Sequence, residues 1–582
     1  MVQSETIIEK LNLLFSMGDY ENAEKLLTSV RKAPELYNDT IAIFDANLSL
    51  SQGNYTKMWE SIRRGLEYNS KNYELYVMLG EYYIPTNPNQ AYLCFEQALF
   101  YCDNEADSVQ IQNFMDALKS EHDITVKNVS FIILSYNTLD YTKICLNSIR
   151  ENTAPSSREI VIIDNASSDG SVEWLKQQTD IILQANKENS GFPKGCNEGI
   201  ALAAKENDIY LLNNDTLVPP NALFWLRMGL YENEMIGSTG SVTNHAANLQ
   251  SLLFREPSLE NYLSFAEKNN IPQKYPYEEK LFLIGFSLLI KRSVLDKIGT
   301  LDERFSPGNY EDNDYCLRIL KNGYKNILCR NSFIVHFGSK SFGKDATKFQ
   351  NILDTNRMKF KEKWSIDPKY YFAPRPEIVD WVTEEQETPL KVLDIGCGCC
   401  ATSLFLKGKY PNTEIYGVEI VPEAADIANL VSKVLCANIE TLEFPWEEEF
   451  FDYVIMGDVL EHLHEPSIVL KKLYKHIKKG GHIILSMPNV KHYSVIIPLL
   501  MNDEFTYTDA GILDRTHLKM YTGKEIVRLV ESGGYIPEWI QSAKSSEPSA
   551  RINEIIDHLM MISNSKDRDE YLTYQYILKA RK

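Results

Sequence analysis

Val129–Tyr136 reads VSFIILSY. It is an unbroken apolar, β-branched run ending in polar residues, the pattern of a parallel strand buried on both faces. Two runs of the same kind follow, EIVIIDNAS from Glu159 and DIYLLNNDT from Asp208. Helical stretches lie between them, Tyr141 to Arg150 and Ser171 to Gln178. Strand–helix alternation of this kind predicts an α/β domain. Its expected span is residues 126–362, ending after a helical segment from Lys344 to Lys363.

Downstream, Pro368, Pro374 and Pro376 predict a linker over 363–388. A second alternation starts at Pro389 with LKVLDIGCG and continues through EIYGVEI, FDYVIMGDV and GHIILSMPN. The final TYQYILKARK predicts a closing strand, so residues 389–582 form a second α/β domain. Upstream, residues 1–125 predict helices with an internal repeat. GDYENAEKLL from Gly18 is echoed by GNYTKMWESI from Gly53 and by NQAYLCFEQALFY from Asn89. Ala23, Met58 and Ala91 hold equivalent places, at spacings of 35 and 33 residues. That period is the period of a tetratricopeptide (TPR) helix pair. The competing reading is a plain helical bundle packed on the next domain.

The 582-residue chain is 44% hydrophobic and 24% charged, as globular proteins are. Its net charge of −20 supplies no cationic field for nucleic acid, so no nucleic-acid partner is expected. The longest near-continuous apolar run, Leu281 to Ile290, is far below the roughly 20 residues of a membrane span. The start MVQSETIIEKLNLLF has early acids and no basic start before an apolar core, so no secretion signal is expected there. Ten scattered cysteines predict reduced thiols and a cytoplasmic protein.

Chemistry-bearing residues gather where the predicted strands end. In open α/β sheets, ligands bind at the carboxyl ends of strands. Ser135 and Asn137 end the first run, and Asp164 ends the second, placed to accept from a base N–H or a ribose hydroxyl. Asp215 ends LLNND, a position suited to Mg²⁺ or Mn²⁺ on phosphates. YEDNDYCLR groups Glu311, Asp312 and Asp314, and His336 follows in IVHFGSKSF. Plain alternatives exist. Asp169 reads better as a turn and helix cap. The three acids could be the first turn of a helix.

The motifs SYN, IDNASSDGS, NSGFPKGCNEGI, NNDT, GFSLLIKR and YEDNDYCLRI run in one order over residues 128–345. In that order they resemble the GT-A inverting glycosyltransferases of family 2, and the NSGF and NNDT variants resemble the rhamnosyltransferase-type branch. The resemblance implies a nucleoside diphosphate sugar as donor. It implies a nucleotide-sugar site of Ser135, Asn137, Asp164, Asn197, Asn214 and Glu311. It also implies a metal held by Asp215 and His336, with Asp312 as general base. Asn213 stands where many relatives carry a first aspartate, which implies weaker metal affinity or a metal-independent variant.

In the second α/β domain, Gly396 and Gly398 let backbone approach a ligand closely. Glu419 follows Asp394 by 25 residues, the spacing of a carboxylate on ribose hydroxyls. NAD sites begin alike, but the phosphate-cradling third glycine is missing, since Cys399, Cys400 and Ala401 follow Gly398. No second cysteine pair stands at zinc spacing, so no structural zinc site is expected from the cysteines.

VLDIGCG, GVEI, ANIETLEF, FDYVIMGDVLEHLHEP, KHIKKGGHIILSMPN and ILDRTHLKMYT together resemble class I S-adenosylmethionine (SAM) methyltransferases. The resemblance implies a Rossmann-like fold. It implies Asp394, Gly396 and Gly398 at the methionine part, Glu419 at the ribose, Asn438 and Ile439 flanking the adenine, and Asp458 in the loop near the sulfonium. His462 and His517 are the candidate bases. The reading that follows is a bifunctional enzyme that adds a sugar, with rhamnose a candidate, and methylates a sugar hydroxyl. The acceptor is a surface glycan or a protein such as flagellin. The competing reading is a TPR scaffold with one active catalytic domain.

Overall fold

The computed structural model describes residues 2–246, 248–338, 346–544, 547–563 and 565–582. The start of the expected helix at Lys344, and residues 339–342 of the IVHFGSKSF motif, lie outside them. The chain divides into two compact units, residues 1–359 and 360–582.

The first unit opens with seven helices: α1 Val2–Ser16, α2 Tyr20–Arg31, α3 Asp39–Ser51, α4 Tyr55–Tyr68, α5 Tyr73–Tyr83, α6 Pro88–Tyr101 and α7 Glu105–Glu121. They pack in sequential pairs, α1 with α2, α3 with α4 and α5 with α6. Side chains of Asp19, Asn38, Asn54, Asn72, Asn87 and Asn104 accept from the first-turn amides of α2 to α7. Each such cap stabilises its helix by about 1 kcal/mol. Ala23, Met58 and Ala91 are fully buried on the second helix of their pairs. A side chain at Gly65 would come within 2.7 Å of Ala42, so glycine permits the close α3–α4 approach.

The α/β region carries nine strands among the described residues. They are β1 Val129–Ser135, β2 Arg158–Asp164, β3 Ile182–Ala185, β4 Asp208–Asn213, β5 Thr216–Leu217, β6 Ile236–Thr243, β7 Tyr277–Lys280, β8 Ser287–Ile290 and β9 Lys325–His336. The order is β3-β2-β1-β4-β8-β6-β9-β5, with β7 beside β9. β1 to β4 are parallel, whereas β8 is antiparallel to both β4 and β6. Strand order reverses between β1 and β4, which sets a ligand crevice at their carboxyl ends.

A boundary at 125/126 does not separate two bodies, because the helices and this sheet share one core. Helix Ala222–Leu230 lies against α6, with Phe224 edge-on to Tyr76 at 5.3 Å. Buried Arg227 pairs with Glu96 at 2.5 Å, and Gln90 donates to the Met228 carbonyl at 2.9 Å.

The second unit is a sheet of β10 Leu390–Ile395, β11 Thr413–Glu419, β12 Lys433–Cys436, β13 Phe451–Gly457, β14 Ile477–Pro488, β15 Ile536–Lys544 and β16 Thr573–Arg581. Its order is β12-β11-β10-β13-β14-β16-β15. The first five strands are parallel, and β16 runs antiparallel between β14 and β15. The terminal strand is therefore an interior one, consistent with its apolar centre. Residues 363–388 are not a spacer. Short helices Pro368–Tyr371 and Pro376–Val379 form there, and Ile378, Val379 and Val382 are buried against Val392, Tyr453 and Ile455. Prolines fit because they occupy the first helical turns, where an amide has no partner to lose.

Candidate active sites

In the first unit, β1 and β2 pair in register so that Ser135 faces Asp164, while Leu134 faces Asn213 of β4. The β5–β9 pair sets Thr216 opposite His336, and the Phe337 amide donates to the Asp215 carbonyl at 2.9 Å. His336 Nε2 then lies 3.2 Å from Asp215 Oδ1, with both side chains buried. His336 Nδ1 faces the His245 carbonyl at 2.8 Å, and the ring stacks on Phe286. With Nδ1 so occupied, Nε2 is the nitrogen left toward Asp215. One carboxylate and one imidazole fit a divalent cation that also takes phosphate oxygens.

Asp312 and Glu311 open the helix Glu311–Lys321. Asp312 accepts from the Gly285 amide at 3.0 Å and from the Asn313 amide at 2.8 Å. Buried Glu311 has an Oε2 with no hydrogen-bond partner among the described residues. Burial raises both acids, Glu311 well above the ordinary carboxylate range and further under the Asp312 charge. Backbone amides oppose the rise at both acids, and Glu311 is the one that the charge of its neighbour Asp312 raises further.

Several residues expected at the ligand also make hydrogen bonds within the framework. Asn197 accepts from the Leu301 amide and donates to the Leu301 carbonyl and Glu303, tying down the loop before the acidic helix. Asn214 donates to Thr138 and Thr142, fixing the end of β4 to helix Leu139–Asn152. Asp164 is fully buried, and both its oxygens accept from Ser167, so it braces the turn. Asn137 accepts from the Ser168 amide and lends its own amide to Ser167, lacing two strand-end loops together. Ser135 is buried with an unpartnered Oγ among the described residues. Asp169 caps helix Leu139–Asn152 through the Leu139 amide.

In the second unit, β10 runs into a turn with Gly396 at φ +68° and Gly398 at φ +54°. Glu419 accepts from the Gly398 amide at 2.8 Å and from Val421 at 2.9 Å, locking this turn to the end of β11. A carboxylate has about four acceptor positions, so Glu419 can still take hydroxyl donors. Asp394 accepts from Ser403 Oγ at 2.5 Å, and burial raises its pKa to about 7. A side chain at Gly396 would meet Val459 at 2.7 Å, which places the loop after β13 against the glycine turn.

Asp458 of that loop sits at φ +56° and is enclosed by partners. Arg375 donates to it at 2.9 Å and Ser486 at 2.8 Å, and Gln575 also donates. Arg375 lies in the segment expected to be a linker, which is why sequence reasoning missed it. Asn438 is exposed and accepts from the Glu440 amide, whereas Ile439 is buried in the core. The two remain beside each other at the loop after β12, but only Asn438 faces outward. His462 and His517 come together, ring centroids 4.8 Å apart. Burial, then the neighbouring His517, holds the His462 imidazolium below its ordinary range.

Residues 130–299 match the glycosyl transferase family 2 model, and residues 366–536 match a methyltransferase domain model. The chain is therefore a fusion of a family 2 glycosyltransferase domain with a methyltransferase domain. Ajmaline N-methyltransferase of Rauvolfia serpentina is 27% identical over 158 residues, covering 26% of this chain and 50% of that protein. The chain thus spans half the length of that relative. Ubiquinone biosynthesis O-methyltransferase of Vibrio atlanticus is 23% identical, covering 32% of this chain and 83% of that protein. Among solved structures, GalNAc-T7 with UDP, GalNAc and Mn²⁺ is similar, at 16% identity and a TM-score of 0.33, over 42% of this chain and 50% of that one. No helix among the described residues is long and apolar enough to cross a membrane.

Proposed function

We propose that this chain is a bifunctional transferase. Its first unit transfers a sugar, with rhamnose a candidate, from a nucleoside diphosphate donor with inversion. Its second methylates a sugar hydroxyl of the glycan or glycoprotein product. The single observation that carries the first activity is the acid pair. Buried Asp312 accepts from two backbone amides, which favour its ionised form, beside Glu311, whose pKa burial and the Asp312 charge raise well above its ordinary value. An ionised carboxylate there receives the acceptor hydroxyl's proton as that oxygen attacks. Asp215 and His336 would hold Mg²⁺ or Mn²⁺, whose charge offsets the leaving diphosphate.

SAM supplies an electrophilic methyl group when bound. The residues that would hold it are the glycine turn, Asp394 against its cationic methionine part and Glu419 on its ribose. Two sites on one chain raise the local concentration of the intermediate at the second. The helical pairs are read as TPR-type repeats that hold the acceptor, a surface glycan or a protein such as flagellin.

Calorimetry with UDP, dTDP and GDP, each with and without Mn²⁺, and with S-adenosylhomocysteine tests the reading. One saturable nucleotide together with S-adenosylhomocysteine supports it and names the donor class. Failure of every nucleotide while S-adenosylhomocysteine binds reduces the first unit to a scaffold.

A further inference from the structure

The cluster of Glu461, His462 and His517 has a composition that general base chemistry does not explain. Glu461 is completely buried, and neither of its carboxylate oxygens has a hydrogen-bond partner among the described residues. Burying an ionised carboxylate costs several kcal/mol unless a cation or donors compensate. One ligand atom from each of the three residues lies within 4.8 Å of the others.

Both rings are already oriented as ligands. His462 Nδ1 faces the Thr516 carbonyl at 3.2 Å, and His517 Nδ1 faces the Ile512 carbonyl at 2.8 Å. A carbonyl accepts a proton from Nδ1 and so leaves the Nε2 lone pair free, the arrangement seen behind metal-bound histidines. The backbone also clamps the two halves of the cluster, since the Leu518 and Lys519 amides both donate to the Glu461 carbonyl.

We propose that Glu461, His462 and His517 bind a divalent first-row transition cation, through one carboxylate oxygen and two imidazole nitrogens. Mixed nitrogen and oxygen donors favour Zn²⁺, Mn²⁺ or Fe²⁺ over Mg²⁺ and Ca²⁺, which prefer oxygen alone. Three protein ligands leave open positions, as catalytic sites do and closed structural sites do not. The cluster follows the loop whose Val459 abuts the glycine turn, so the open positions belong to the methyl-transfer site.

Cation binding stands on the three ligands alone, and only its use rests on the methyltransferase reading. In that use an acceptor hydroxyl binds the cation and loses its proton to water. The oxygen then forms the bond to the methyl carbon, and the electron pair of the broken carbon–sulfur bond stays on sulfur. Neither histidine is then the proton acceptor.

The test uses the full chain, stripped with EDTA and carrying Asp215→Asn to silence the other candidate metal site. Co²⁺ and Zn²⁺ are titrated by calorimetry, with Co²⁺ absorption as a coordination signature. One Co²⁺ per chain with d–d bands is expected. Adding His517→Gln should weaken binding about 100-fold or more, and Glu461→Gln should do the same. Absence of Co²⁺ binding, or binding that His517→Gln leaves unchanged, overturns the site. Should Glu461→Gln fail to fold, the partly exposed His517 decides alone. S-adenosylhomocysteine titrated into the same sample reports on the methyltransferase reading separately. If the chain binds S-adenosylhomocysteine but takes up no added Co²⁺, only the metal site is overturned.

Discussion

The two α/β units treat buried carboxyl groups in opposite ways. In the first, two adjacent acids share one enclosure, burial raises both, and two backbone amides donate to Asp312. In the second, Glu419 takes two amides, while Asp394 accepts from the Ser403 hydroxyl and rises to about 7. Burial alone pushes every such acid toward neutrality, and hydrogen-bond donors decide which stays ionised. In the first site the amides favour the ionised form of Asp312 against its burial. The second needs a cationic ligand to complete the charge on Asp394.

The sharpest break of this contrast is Asp312→Asn. It should lower sugar transfer by about 1,000-fold, within the range lost with a general base. S-adenosylhomocysteine binding should stay unchanged, as calorimetry on the same preparation would show. Loss of both functions in a folded variant would mean that the two sites are coupled. The reciprocal change, Asp394→Asn, should weaken S-adenosylhomocysteine about 100-fold, as expected when a charge-assisted contact is lost. Sugar transfer should continue at its normal rate.

A pH series sharpens the same point. Free Asp394 titrates near pH 7, far above an ordinary aspartate, so below that pH it holds a proton. Pairing with a cationic amino group requires the carboxylate, so binding must release that proton. Affinity for S-adenosylhomocysteine should therefore rise about tenfold per pH unit up to about pH 7 and then level off. Asp394→Asn should flatten the slope. A flat profile in the unmodified protein would show that Asp394 is already ionised without ligand.

Strand content and strand-end carboxylates were legible because apolar runs and their polar termini are local signals. Asp215, Asp394 and Glu419 sit at or just after strand ends, whereas Asp312 opens a helix. What was not legible depends on partners distant in the chain. Asn197 and Asn214 carry the residue types of a ligand site, yet their bonds go to Leu301 and to Thr138 and Thr142. Only the fold decides whether an amide faces a ligand or a loop. The prolines at 368, 374 and 376 resembled a spacer, although two of them begin helices that cover the sheet. Glu461 stood in plain view in the EHLH motif, but its lack of partners among the described residues is a property of packing alone.

The smallest expected effect is also the most exacting for the acid pair. If Glu311 keeps its proton while Asp312 is charged, Glu311→Gln replaces one neutral group by another of the same shape. Sugar transfer should then stay within about threefold, because no charge is removed from the reacting pair. The acidic limb of the pH–rate profile should remain above the ordinary aspartate range, since burial of Asp312 is untouched. If Glu311 were instead the ionised partner, the glutamine would remove the negative charge beside Asp312. The acidic limb would then move down, toward the value of an ordinary carboxylate. A profile measured with and without this one substitution thus assigns the proton between two neighbouring acids.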